Sequence, residues 1–188
     1  MSNSILSQGH SVYAFEIDDV LFPRREYILQ VYYLFANFVD YTEGTSRASS
    51  LVDFMKAAYE RDEDNVGVDV VKETLAHFEL PVSYLENFER LRANATLPLK
   101  LFLTPQAKLL FKEIIATGKV VTILTDGNPI EQLNKLKHID WGEFTSYLSS
   151  LKVYFVQELR FRNINPIDYI GLEYGVKATD ILVLRQLY

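Results

Sequence analysis

The chain has 188 residues, enough for one substantial core or a core with a small insert, and its 48% hydrophobic and 23% charged composition is that of a globular protein. A formal net charge of -6 argues against a nucleic-acid partner, no apolar run approaches a membrane span, and with 0 Cys there is neither a disulfide framework nor a thiol nucleophile or ligand. The N-terminal Met1-Ser-Asn-Ser-Ile-Leu-Ser-Gln-Gly-His10 lacks the basic and apolar regions of a signal peptide, so a cytoplasmic location is expected.

Val12 to Ile17 is short, apolar and rich in β-branched and aromatic residues, which predicts a buried strand. It runs into Glu16, Asp18 and Asp19. Acids clustered at the end of a buried run lie at the carboxyl edge of a sheet, where ligands bind in open α/β sheets. Glu16 and Asp18 are two apart and share a face in extended backbone. Carboxylates that close raise each other's pKa unless a cation or a bound proton intervenes.

Beyond Phe22 the periodicity becomes helical. Tyr27, Ile28, Val31, Leu34, Phe35, Phe38 and Val39 mark one face, and Leu51, Val52, Met55, Ala58 and Tyr59 a second. Val68, Val71, Leu75 and Phe78 mark a third helix, stopped by Pro81, and Leu85, Phe88 and Leu91 a fourth. Residues 22–98 are therefore expected to form an inserted helical bundle whose aromatic and Met stripe is core.

Strands and helices then alternate. Thr104 is the expected N-cap, Pro105 the first residue and Gly118 the stop of a helix facing inward through Ala107, Leu110, Phe111, Ile114 and Ile115. Lys119 to Thr125 is a second strand, and Asp126-Gly-Asn-Pro129 turns it into a helix carrying Ile130, Leu133 and Leu136. Lys152 to Val156 is a third strand, Asn165 caps a helix that ends at Gly175, and Asp180 to Arg185 is a fourth strand. This order predicts an α/β fold, a Rossmann-like parallel sheet built from residues 1–21 and 99–188. The Thr125 hydroxyl at a strand end, followed by the turn amides of Asp126, Gly127 and Asn128, is a candidate anion site at a helix N-terminus.

Phe15-Glu-Ile-Asp-Asp-Val-Leu21 and Leu124-Thr-Asp-Gly-Asn128 resemble the first two motifs of the haloacid dehalogenase (HAD) superfamily, and the helical insert after the first strand resembles its C1-type cap. That resemblance implies a magnesium-dependent phosphatase, a phosphoric monoester hydrolase, whose cap selects a small phosphorylated metabolite. It places Glu16 where the family has its nucleophilic, metal-binding Asp, and Asp18 at the general acid/base. Glu16 and Asp18 would hold Mg2+, and Thr125, Asp126 and Gly127 would cradle phosphate. Asn165 stands where the family has a charge-cancelling Lys, with Arg160 or Arg162 as substitutes. Gln186, beside Arg185, stands where a metal-binding Asp belongs.

Three of those positions depart from the pattern. Glu16 is one methylene longer than Asp, and a displacement of about 1 Å in a reacting group can cost on the order of a hundredfold in rate. The missing Lys and Asp remove further charge from a centre that works by electrostatics. Phosphohydrolase activity is therefore expected to be weak or absent. The alternative is a non-catalytic module that binds an anion in the cleft, or a second copy or another protein through the sheet edge beyond Leu184. A receiver-type domain also pairs acids after its first strand but has no place for residues 22–98. His10, His77 and His138 show no metal-ligand spacing, Trp141 reads as packing, and Arg24 and Arg25 as helix-start charges.

Overall fold

The computed structural model describes residues 9–61 and 68–185. They form two compact units, one drawn from residues 1–23 and 101–188, the other from residues 24–100. Among the described residues no helix is long and apolar enough to cross a membrane.

The second unit is all helical: α1 (Arg24–Glu43), α2 (Ala48–Arg61), α3 (Val68–His77) and α4 (Tyr84–Asn94). On α1 the buried residues Tyr27, Ile28, Val31, Tyr32, Phe35, Ala36 and Val39 recur every three or four positions, so one stripe faces the bundle. α1 packs on α2 and α4, and α3 packs on the same two helices. Phe88 of α4 fills the centre. Phe35 meets it edge-on with centroids 5.5 Å apart, and Tyr32 lies 6.1 Å away. Burying one such side chain contributes roughly 1.5–3 kcal/mol. Asp40 closes the α1–α2 turn by accepting from the Thr45 hydroxyl at 2.7 Å and the Arg47 amide at 2.6 Å. His77 stacks on Phe54 at 4.3 Å and Arg25 pairs with Glu60 at 2.8 Å, so both have structural roles here.

The first unit holds a four-stranded parallel sheet in the order β5-β3-β1-β6, with β1 at Val12–Phe15, β3 at Val120–Thr125, β5 at Val153–Phe155 and β6 at Ile181–Leu184. All four residues of β1 are fully buried, which explains its unbroken apolar run. Val12 and Ala14 pack with Leu124, Tyr154, Leu159 and Ile170. Phe15 meets Phe111 at a tilt with ring centroids 4.7 Å apart, and Phe111 in turn meets Phe144 and Trp141. The connecting helices are α5 (Pro105–Ala116), α6 (Pro129–His138), α7 (Val156–Phe161) and α8 (Pro166–Tyr174). Thr104 caps α5 by accepting from the Ala107 amide at 3.1 Å, and Gly175 ends α8 in the left-handed conformation at φ 67.

The sheet differs from the sequence reading at its ends. The first strand stops at Phe15, and Ile17 lies in a tight loop closed by Leu21 N–H to Ile17 O at 3.0 Å, with Asp19 at φ 60. Val156 opens helix α7 instead of ending the third strand. The two-residue strands β2 (Leu101–Phe102) and β4 (Ile139–Asp140) pair with each other in parallel, and Gly142–Ser150 is 3-10 helix. Two residues are too few to display the alternation that identifies a strand.

Candidate active site

β1 is an inner strand, and the chain lays β3 and β5 on one side of it before returning to β6 on the other. The carboxyl end of β1 is thus the point from which ligand sites of open α/β sheets are built. Glu16 is the first residue past that end, and its N–H still donates to Leu184 O at 2.9 Å. Its carboxylate folds onto the neighbouring strand end. Oε1 accepts from the Ile17 amide at 2.8 Å and from the Thr125 hydroxyl, and Oε2 accepts from the Asp126 amide at 3.1 Å. Thr125 is fully buried as the last residue of β3.

Burial pushes the Glu16 carboxyl above its ordinary range, and nearby Asp18 adds to the rise, while the bonds from Thr125, Ile17 and Asp126 work against it. The next amide of the turn is also engaged. Gly127 N–H donates to Asp126 Oδ1 at 2.8 Å, and Arg160 approaches the other Asp126 oxygen at 3.7 Å from an exposed position. Gly127 is needed here twice over. Its φ is 107, and a Cβ would come within 2.9 Å of Gln132 Nε2. Asn128 then caps α6 by accepting from the Ile130 amide at 2.9 Å, with Pro129 at the first helical position.

Asp18 is held from α6. Its Oδ2 accepts from Lys135 Nζ at 2.7 Å and from Gln132 Nε2 at 3.2 Å. Lys135 also pairs with Glu131 at 2.9 Å, and Gln132 Nε2 donates to Asp126 O at 2.9 Å. Glu131, Gln132 and Lys135 are all buried. The two strand-end acids are therefore treated oppositely: Glu16 is wrapped by hydrogen-bond donors and Asp18 is paired with an ammonium.

Neither a family model nor a curated protein matches the sequence. Solved structures do. A Thermotoga maritima protein assigned as a beta-phosphoglucomutase superposes with a TM-score of 0.56 at 14% identity, covering 92% of this chain and 74% of that one. A HAD family hydrolase from Deinococcus radiodurans R1, solved with phosphate and sodium, gives 0.52 at 14% identity, covering 94% and 72%. The chain has the HAD-like fold. At these identities the likeness establishes the architecture, and the chemistry must come from the residues in place.

Set on the HAD-like fold, the expected site is only partly assembled. Glu16, Thr125 and Asp126 come together, with Asp18 joined to them through Gln132. Asn165 caps α8, its Oδ1 accepting from the amides of Ile167 at 2.9 Å and Asp168 at 3.3 Å. Gln186 lies outside the described residues. Magnesium asks for about six oxygen ligands with carboxylate charge among them. Among the described residues no three acids or histidines are grouped to hold a metal. Both Glu16 oxygens already accept hydrogen bonds, and one Asp18 oxygen faces an ammonium. This donor set does not fit the ion.

The sequence reading did not single out Glu131, Gln132 and Lys135, and it marked α6 by its apolar residues Ile130, Leu133 and Leu136 without orienting the helix. Ile130 and Leu133 are 55% and 51% exposed. The available signal was the Glu131–Lys135 spacing of four, which on a surface helix marks a solvated pair. His138 is buried with Nδ1 2.7 Å from Asn134 O, and Trp141 donates to Leu136 O at 3.2 Å, so both are packing residues.

Proposed function

We propose that this is a HAD-fold protein whose phosphoryl-transfer centre is filled by its own carboxylates and does not sustain phosphohydrolase turnover at ordinary rates. The observation that carries this reading is the position of Glu16. The donors suited to a phosphate are the Thr125 hydroxyl and the amides of Asp126 and Gly127. Each already donates to a carboxylate, the first two to Glu16 and the third to Asp126. A phosphate dianion would have to displace both acids while enduring their repulsion. In the ancestral chemistry the first acid attacks phosphorus and the second moves a proton. Here Glu16 would have to leave three hydrogen bonds before it could attack, and Asp18 is committed to Lys135. No magnesium-dependent step is part of this reading.

Small phosphorylated metabolites in a cytosolic setting remain the proposed ligand class for any residual activity, with Glu16 as nucleophile, Asp18 as acid/base and Thr125 as phosphate contact. The test is phosphate release from a panel of such esters, with and without magnesium. Release slower than about 0.01 per second is expected, against the 1–1000 per second of ordinary enzymes. Turnover in the ordinary range that disappears in Asp18→Asn would overturn the proposal.

A further inference from the structure

We propose that Lys135 is the resident cation of this site: held between Asp18 and Glu131, its ammonium supplies from within the chain the positive charge that a divalent ion would bring, and the site does not take up magnesium. Nζ lies 2.7 Å from Asp18 Oδ2 and 2.9 Å from Glu131 Oε1, with the side chain 3% exposed. A charge taken out of water has to be paired, and both carboxylates stand within ion-pair distance of this ammonium. Glu131 precedes Lys135 by four residues on α6, so the helix itself fixes one partner. Gln132 Nε2 touches the same Asp18 oxygen at 3.2 Å and sets the carboxylate's orientation.

A magnesium ion bonds carboxylate oxygen at about 2.1 Å and needs several such oxygens. On Asp18 it would share one carboxylate with an ammonium that has little contact with water to screen it. Asp18 Oδ1 and Gln132 Oε1 are buried acceptors without a hydrogen bond among the described residues, a need that an ordered water satisfies without added charge. None of this depends on whether the centre turns over. A metal-independent but active enzyme would sink the proposed function and leave Lys135 in this role.

The experiment is a magnesium chloride titration of the intact chain at constant ionic strength, followed by the melting temperature. Wild type should not move up to about 10 mM. Lys135→Met, which leaves Asp18 and Glu131 without their ammonium, should melt lower and should recover by several degrees at about 10 mM magnesium. A magnesium-dependent rise in the wild type, or a Lys135→Met protein as stable as wild type and indifferent to magnesium, would overturn the proposal. Should Lys135→Met fail to fold, Lys135→Arg decides in its place. That variant retains the charge and should stay insensitive, and a magnesium response in it would count as refutation.

Discussion

Replacing Glu16 with Gln removes the carboxylate charge and preserves its size. In the native protein three donors favour the ionised form: Ile17 N–H at 2.8 Å, Asp126 N–H at 3.1 Å and the Thr125 hydroxyl. Burial outweighs them, and the folded pKa stands above the reference value of 4.5. The folded state therefore holds the proton more tightly than the unfolded chain. The sign follows from linkage. The stabilisation tied to that proton is fully present below pH 4.5 and is lost as the pH rises through the folded value. Gln at this position cannot titrate. The stability of wild type relative to Glu16→Gln should thus be greatest near pH 4, fall with rising pH and then level off. A single proton sets the steepest possible slope at about 1.4 kcal/mol per pH unit. Urea unfolding of both proteins in parallel from pH 4 to 8 measures the gap directly, provided the m-values agree. A gap that widens with pH would mean that the three donors prevail over burial and that the cradle binds the anion more strongly than its desolvation costs.

Shortening the same residue makes a separate expectation. Glu16→Asp draws the carboxylate back by one methylene and should uncover the Thr125 hydroxyl and the Asp126 amide, so that millimolar inorganic phosphate broadens its own 31P resonance with the variant and not with wild type. Gly127→Ala forces a side chain onto a φ of 107 and into Gln132, and should cost about 1–3 kcal/mol in thermal unfolding.

The architecture was legible because its signals are local. β1 is buried on both faces and reads as one apolar run, and α1 repeats its buried face every three or four residues. The caps at Thr104 and Asn165 announce two helices, each with Pro following. The short pieces were not legible. β2 and β4 have two residues each, and their pairing is a tertiary fact. At the site, motif position brought Glu16, Asp18, Thr125 and Asp126 to one place in the reading. What those side chains do there depends on reach, which sequence spacing does not encode. A carboxylate one methylene longer can arrive at the Asp126 amide, just past the end of the neighbouring strand.

That α6 buries Glu131, Gln132 and Lys135 and leaves Ile130 and Leu133 half exposed follows from a comparison of costs. With the helix turned to bury Ile130 and Leu133, two side chains now about half exposed would leave water. At roughly 1.5–3 kcal/mol for complete burial, that rotation would gain on the order of 2–3 kcal/mol in all. It would also carry Lys135 away from Asp18, whose side chain is 22% exposed. Removing one partner of a largely buried ion pair costs about 3–5 kcal/mol. Electrostatics at the strand end therefore outweighs the hydrophobic preference of the helix. Hydrophobic periodicity alone does not orient α6, because it contains no term for a carboxylate more than one hundred residues away in the chain, at Asp18.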